Sequence, residues 1–221
     1  MRKIDKNYDT LLSTKYKTWV EKYESKNIEH PDSRTYYDDL AMELYKCQQG
    51  VCAYTERWIC PKELYDSVLW VNGKYVSNIS AEYRRVDHAG EMDHFDPNLK
   101  KDKYWLWSNL FMIDAKINGI KSNEQPLEFL KPDLEEYSPK KYFDYDEETH
   151  RFISNTDIGD DKIRDEIQRM IDHVLFLNHG VVRKDRENFI NDIKLKQKYN
   201  TPYKVDRFFT ALSWCLENNS Q

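Results

Sequence analysis

An aspartate and a histidine, Asp93 and His94, stand side by side near the middle of the chain, and Asn109 and Asn118 follow them. An aspartate carboxylate binds hard divalent cations through oxygen, and an imidazole titrates near neutral pH, which suits a general base. Hydrolysis of a phosphodiester requires an activated water, neutralised charge on the phosphate and a stabilised leaving oxygen. These residue types predict a metal-dependent phosphodiester hydrolase, and the alternative is a polar hairpin that leads into an ordinary helix.

Each of these side chains can take a part in that chemistry. His94 is the expected base, and the side-chain carbonyl of Asn109 is expected to fix its tautomer through the other ring nitrogen. Asp93 and Asn118 are the expected metal ligands, one from a strand and one from a helix. Lys121 follows Asn118 by about one helical turn, where it can contact phosphate. In a regular strand His94 would point away from Asp93, so we expect a bent segment at this point.

The segments before this cluster have helical and hairpin patterns. Apolar residues at helical spacing predict an amphipathic helix over residues 8–26 and a second helix from a cap at Asp32 to Gly50. In the stretch SVLWVNGKYVSNI, the turn Asn72-Gly73 joins two runs of β-branched and aromatic residues. This arrangement predicts a β-hairpin.

The cluster and the segments after it predict further elements. The stretch RRVDHAGEMDHF predicts a strand or hairpin, and a helix is expected from near Ser108 to Asn118-Gly119. The stretch KKYFDYDEETHRFISN predicts a short hairpin. From Asp160 the pattern is helical again, and RKDRENFINDIKLKQK and KVDRFFTALSWCLEN predict two more helices. The expected fold class is α+β, mostly α, with a small β element in the middle.

The length of 221 residues suits one domain, or one domain with an accessory lobe. We divide the chain into an N-terminal helical part (1–50), a central core with the polar cluster (51–125) and a C-terminal helical lobe (126–221).

The N-terminus lacks the apolar run of a signal peptide, and no segment is long enough to cross a bilayer, so we expect a cytoplasmic protein without membrane contact. The four cysteines are compatible with free thiols there. The net charge of −5 does not indicate nucleic-acid binding, although only a local patch has to be positive.

The polar cluster resembles a known nuclease motif. Asp93-His94, then Asn109, then Asn118-x-x-Lys121 is similar to the HNH (ββα-metal) endonuclease motif, in the variant whose last histidine is asparagine. The stretches QQGVCAYTE, EMDHFDP, WSNLF, NGIKS and LFLNHGVVRKDR occur in the order typical of small HNH proteins of bacterial anti-phage systems. Those nucleases are encoded beside an ATPase in Septu-type loci and in some retrons. The similarity covers nearly the whole chain.

The resemblance implies a ββα-metal element packed between N-terminal and C-terminal helices. It also implies that Asp93 and Asn118 bind the metal, that His94 is the base and that Asn109 orients it. Glu91 is either a further metal ligand or a hydrogen-bond acceptor for one of the ligands. Other side chains remain open between a site role and a structural one. These are Glu56, which either reaches the site or makes a structural hydrogen bond, and His88, which is either a substitute ligand or a surface loop residue.

The chain departs from many relatives at the positions of a structural zinc site. Relatives carry two C-x-x-C pairs there, whereas this chain has Cys52, Thr55, Asp114 and Ile117. Only one of these four side chains can donate a thiolate, and isoleucine cannot bind zinc at all. We therefore expect no structural zinc, with apolar packing holding the helix to the β element instead.

Two basic groups are candidates for nucleic-acid contacts. Lys100, Lys101 and Lys103 lie beside aromatic residues in LKKDKYWLW and either follow a phosphate backbone or form an ordinary charged loop. Arg84 and Arg85 are a second candidate phosphate contact.

The expected function is that of a metal-dependent HNH endonuclease that hydrolyses DNA, acting as the nuclease effector of a bacterial anti-phage defence system with an ATPase partner. An oxygen-rich site suits Mg²⁺, and Mn²⁺ or another divalent ion is an alternative. Two other functions stay open. One is a nuclease that cleaves RNA or tRNA, and the other is a module with a decayed site that acts as a scaffold or sensor.

Overall fold

The computed structural model describes residues 1–66, 69–76 and 88–218. Within these residues the fold is α+β, as predicted, with a predominance of helices and three two-stranded antiparallel sheets. The chain forms two compact units. The central unit comprises Ile4–Cys52 and Ile59–Gln125, and the C-terminal unit comprises Met1–Lys3, Ala53–Trp58 and Pro126–Gln221. The three-part division of the sequence stays a prediction.

The central unit begins with two helices, α1 (Thr14–Glu24) and α2 (Tyr37–Gln48). Both helices were predicted, but the expected cap at Asp32 is wrong, because α2 begins five residues later. A backbone hydrogen bond from Tyr37 to the carbonyl of Arg34, 3.1 Å long, closes a turn before the helix. The C-terminal end is close to the prediction, since Gln49 and Gly50 both have positive φ and end the helix.

A short helix, α3 (Lys62–Asp66), precedes the hairpin of β1 (Leu69–Val71) and β2 (Lys74–Val76), which confirms the hairpin prediction. Asn72 and Gly73 have φ of 51° and 70°, the left-handed conformation that a two-residue hairpin turn requires. A Cβ added at Gly73 would lie 1.7 Å from Oγ1 of Thr14. Glycine at this position therefore provides both the turn and the space for the start of α1.

The polar cluster lies in a strand, a second strand and a helix: β3 (Gly90–His94), β4 (Leu110–Asp114) and α4 (Ala115–Lys121). The predicted helix from Ser108 is wrong over its first half, because Trp107–Asn109 is a 3₁₀ turn and Leu110–Asp114 is a strand. All five residues of β4 are buried. A strand that is buried on both faces shows no alternation of apolar and polar residues, so its sequence pattern does not distinguish it from a buried helix. The carboxylate of Asp114 then caps α4 by accepting a hydrogen bond from Lys116 N at 2.9 Å.

Helix α2 holds both strands of this hairpin through its two ends. At its start, the Tyr37 hydroxyl accepts a hydrogen bond from Met92 N on β3 at 3.3 Å. At its end, the Gln48 amide accepts from Met112 N on β4 at 2.9 Å and donates to Met112 O at 2.7 Å. These outward-facing backbone groups of β3 and β4 therefore have partners on α2.

Close packing at Gly90 fixes the start of β3. A Cβ added there would lie 2.3 Å from the Tyr45 hydroxyl and 2.9 Å from Cδ1 of Ile59. Tyr45 is fully buried, and its hydroxyl is bonded to Nδ1 of His88 at 2.9 Å, so it has little room to move. The missing side chain of Gly90 lets β3 approach α2 closely enough for the contacts at Met92.

The C-terminal unit contains the hairpin of β5 (Phe143–Asp146) and β6 (Arg151–Ser154), which confirms the second hairpin prediction. The predicted helices are also present, as α5 (Asp161–Arg169) with a π-helical continuation (Met170–Val174), α6 (Gly180–Lys198) and α7 (Phe209–Asn218). Asp160 caps α5, with its carboxylate accepting from Lys162 N at 2.9 Å and Ile163 N at 3.2 Å.

In the part of the chain that the structure describes, no helix is both long enough and apolar enough to cross a membrane.

Candidate active site

Strand β3 presents Asp93 and His94 to opposite faces. Its antiparallel register with β4 runs without interruption from Gly90 opposite Asp114 to His94 opposite Leu110. Successive side chains of a regular strand alternate between faces. The bent segment expected at this point is therefore not formed, and the two adjacent residues have different surroundings.

Asp93 faces α4 and forms an ion pair with Lys121. The ammonium Nζ lies 3.1 Å from Oδ1 of Asp93 and 3.4 Å from the carbonyl oxygen of His94. Both side chains are almost completely buried. The Lys121 side chain therefore points inward, and a phosphate contact by Lys121 requires its ammonium to leave Asp93.

A second polar contact links β3 to α4 one turn earlier. The Asn118 amide donates to Oε2 of Glu91 at 3.1 Å, at an exposed position. Glu91 and Asp93 are two residues apart on β3 and share a face, and Asn118 and Lys121 are one turn apart on α4. The two contacts thus form parallel cross-links, in which the carboxylates of Glu91 and Asp93 on β3 accept from Asn118 and Lys121 on α4.

His94 is buried on the other face, with its Nε2 2.8 Å from the carbonyl oxygen of Tyr104. Burial lowers the pKa of His94, an effect that the hydrogen bond to Tyr104 partly opposes and the nearby Lys100 reinforces. The ring is therefore neutral at pH 7. Because a carbonyl oxygen can only accept a hydrogen bond, Nε2 must be the donor, so the neutral ring carries its proton on Nε2 and its lone pair on Nδ1. The sequence offered no signal for Tyr104, since the contact uses its backbone.

Asn109 does not orient His94, in contrast to the expectation. Its side-chain oxygen accepts from Asp96 N at 2.8 Å, and its amide donates to Asp96 O at 2.9 Å. The backbone carbonyl of Asn109 also accepts from Phe95 N at 2.9 Å. Asn109 therefore holds the chain immediately after His94 against the start of β4, and its effect on the imidazole is indirect.

His94, Glu91 and Asn118 line one cavity of about 170 Å³, whereas Asp93 is not among its lining residues. The cavity extends along β3 at the edge that faces away from β4, where Met92 meets Tyr37. The remaining walls come from Arg34, Tyr37, Met92, Tyr104 and Trp105. A cavity at the strand edge can bring groups from both faces of β3 to one ligand. No sequence spacing pointed to Arg34 or Tyr37, which lie more than fifty residues before this strand.

The basic residues expected to contact nucleic acid are distributed around this region. Lys101 is exposed, and Lys100 is half-buried and close enough to His94 to affect its pKa. Lys103 lies 3.7 Å from the carboxylate of Glu24. The Arg84 and Arg85 prediction lies outside the described residues.

The two side chains with open roles have structural hydrogen bonds. His88 is bonded to the Tyr45 hydroxyl through Nδ1. Glu56 belongs to the C-terminal unit, where its buried carboxylate accepts from Thr210 N at 2.8 Å and from the Thr210 hydroxyl.

The oxygen donors between β3 and α4 are of the type that Mg²⁺ prefers. Among the described residues there is no group of three or more His, Cys, Asp and Glu side chains arranged to hold a metal ion. Mg²⁺ is commonly held by one or two carboxylates, with water and substrate oxygens completing its shell. Glu91 and Asp93 supply two such carboxylates on one face of β3, but the ammonium of Lys121 already lies against Asp93. The donor chemistry is therefore compatible with a divalent cation that would compete with Lys121 for Asp93.

Two of the positions considered for a structural zinc site have other uses in this fold. Asp114 caps α4, and Ile117 is buried on the inner side of the same helix. Cys52 is buried. The helix cap at Asp114, the burial of Ile117 and the two polar contacts with β3 all help to hold α4 in place.

No family model, curated protein or solved structure matches the chain.

Proposed function

We propose that the chain is a metal-dependent endonuclease of the HNH type that hydrolyses phosphodiester bonds in DNA. The observation that supports it most strongly is the strand–strand–helix unit, in which the carboxylates of Glu91 and Asp93 on β3 face Asn118 and Lys121 on α4. His94 shares a cavity with two of these residues, Glu91 and Asn118. The reaction requires at least a general base and a bound cation that act on the same phosphate.

Glu91, Asp93 and Asn118 would hold the cation, with Mg²⁺ as the expected ion and Mn²⁺ as an alternative. The bound cation supplies charge neutralisation on the phosphate and on the leaving oxygen.

His94 accepts the proton of the attacking water on Nδ1. The neutral ring is ready for this step because Nε2–H is already directed to the Tyr104 carbonyl. That carbonyl also stabilises the imidazolium that forms, because its hydrogen bond to a charged ring is stronger than to a neutral one. Asn109 contributes by fixing Asp96, two residues after His94.

The biological role that we propose is that of the nuclease effector of a bacterial anti-phage defence system, active in the cytoplasm with an ATPase partner. The motif order in the sequence supports this role. The overall charge of −5 also favours a partner, because an acidic protein gains little from general attraction to DNA.

A second candidate is a module without catalytic activity that acts as a scaffold or sensor. The buried ion pair of Asp93 and Lys121 favours this candidate, because the ammonium occupies the side of the carboxylate that faces α4. Loss of metal binding would then leave a folded strand–strand–helix unit held together by its own cation.

Incubation of supercoiled plasmid with Mg²⁺ or Mn²⁺ distinguishes the two. Nicking by the wild type that is lost in His94→Ala and kept in His173→Ala supports the endonuclease, since His173 is an exposed histidine of the C-terminal unit. RNA and tRNA substrates are tested in parallel, and cleavage of RNA alone assigns the chemistry to that polymer. If no substrate is cleaved with either metal, with or without a co-purified ATPase, the endonuclease proposal is rejected and the non-catalytic scaffold is favoured.

A further inference from the structure

A second cavity of about 600 Å³ adjoins the His94 cavity. Its walls come from the start of α2, from β2 and from the segment that enters β3. Arg34, Tyr37 and Glu91 line both cavities, so the two meet at these side chains. We call the second cavity the flanking cleft. Its volume falls within the range of roughly 300–1,000 Å³ that is common for small-molecule sites.

Arg34 is an exposed residue that lies at the junction of the two cavities. Its central carbon lies 5.6 Å from the ring centroid of Tyr37, and no ion pair is found for Arg34 within the described part of the chain. Lys74 adds a second positive charge to the same cleft. Because a guanidinium matches the geometry of phosphate oxygens, Arg34 provides a phosphate-binding group between the two cavities.

The other walls of the flanking cleft suit a nucleobase. Tyr37 supplies an aromatic ring on which a base can stack, and Tyr75, which is 8% exposed, also lines the cleft. Asp38 supplies carboxylate oxygens, which accept hydrogen bonds from exocyclic amino groups of bases, and Glu91, a proposed cation ligand, lies where the two cavities meet. An apolar ligand would remove water from these carboxylates without offering a donor, which is unfavourable.

We propose that the flanking cleft binds the nucleoside next to the phosphodiester that is hydrolysed, with Arg34 on the phosphate that joins it to the rest of the strand. This assignment rests on the proposed endonuclease activity, because it takes the His94 cavity as the place where the bond is cut. The Asp38 carboxylate favours bases that carry an amino group, so cytosine, adenine and guanine are preferred to thymine.

Binding is measured first, without cleavage, by fluorescence anisotropy of a short labelled single-stranded DNA in the presence of EDTA. Loss of one charge-assisted phosphate contact in Arg34→Ala is expected to weaken binding about tenfold. Arg34→Lys keeps the charge and is expected to recover part of the affinity. Lys26→Ala removes one charge at an exposed position of the same unit that lines neither cavity, and its affinity should stay within roughly twofold of the wild type.

The position of the base is tested by photo-crosslinking with DNA in which cytosine is replaced by 5-iodocytosine. Crosslinked peptides that map to Tyr37 or Tyr75 support the proposal. Crosslinks that map only elsewhere, together with unchanged binding by Arg34→Ala, overturn it.

The plasmid assay separates this proposal from the proposed function. If the wild type cleaves DNA and Arg34→Ala binds and cleaves equally well, the assignment of the flanking cleft is overturned and the endonuclease stands. If the wild type does not cleave with any metal, both the endonuclease and the placement of a nucleoside beside a cut bond are overturned.

Discussion

The ammonium nitrogen of Lys121 lies 3.1 Å from Oδ1 of Asp93, and both side chains are almost completely buried. A buried carboxylate needs a positive partner, because removal of one member of such a pair leaves an uncompensated charge. Lys121 supplies that partner from within the chain. A divalent cation at Asp93 therefore competes with Lys121 or shares the carboxylate with it.

Substitution Lys121→Met tests this competition. Without metal, the variant is expected to lose about 3–5 kcal/mol of unfolding free energy, because Asp93 stays buried without a partner. Mn²⁺ is expected to recover part of the loss and to raise the Tm of the variant more than that of the wild type. Thermal unfolding with and without Mn²⁺ measures both effects.

Two further proteins control that experiment. Lys116→Met lies on the exposed side of α4 and should change the unfolding free energy by less than about 0.5 kcal/mol. The double variant Asp93→Asn, Lys121→Met should regain stability and lose the response to Mn²⁺. A Lys121→Met protein whose Tm does not respond to Mn²⁺ would show that Asp93 does not bind metal.

Asn109→Ala is expected to lower stability by about 1–3 kcal/mol, because Asp96 N loses its buried acceptor and Asp96 O its donor. The pKa of His94 should change little, since the ring bonds to Tyr104 and not to Asn109. Chemical denaturation and an NMR titration of the imidazole give the two values. A large change in the His94 pKa with unchanged stability would restore the role first expected for Asn109.

The cleavage rate should stay high to a lower pH than an ordinary histidine base allows. Burial lowers the pKa of His94 below the usual 6.5, so the neutral ring persists as the solution becomes acidic. The folding stability depends on pH in the same direction. Because the pKa of His94 is lower in the folded state than in the unfolded state, its contribution to stability is complete above pH 6.5 and is lost as the pH falls through the folded-state pKa. A pH profile of kcat/KM measures the first effect, and an acidic limb at or above 6.5 would contradict it.

Gly90→Ala and Gly119→Ala form a matched pair within the strand–strand–helix unit. At Gly90 a new Cβ meets the buried Tyr45 hydroxyl, so a loss of about 1–3 kcal/mol is expected, with weaker metal binding as β3 shifts. At Gly119 no atom lies within 4 Å of the new Cβ, and alanine in a helix should add about 0.5–1 kcal/mol. Denaturant unfolding measures both, and equal effects would show that packing at Gly90 does not position β3.

Local patterns predicted much of the fold. The Asn72-Gly73 turn and the segment 143–154 form hairpins, since each depends on a few neighbouring residues. The helix ends were less well predicted, and α2 begins at Tyr37 and not near Asp32. The clearest error is Leu110–Asp114, because the burial of all five residues depends on distant segments such as β3 and α2 that pack around the strand, which no local period records.

Residue types and spacings were enough to identify the side chains with suitable chemistry: a carboxylate beside an imidazole, followed by two asparagines and a lysine at strand and helix spacings. Their partners followed from the fold, with Asp93 on Lys121, Asn109 on Asp96 and His94 on the Tyr104 carbonyl. The fold also decided that Arg34 and Tyr37 line the cavity of His94. The physical reason is that residue type sets what an atom can donate or accept, whereas its partner depends on strand register, helix packing and burial, which arise only when distant segments meet.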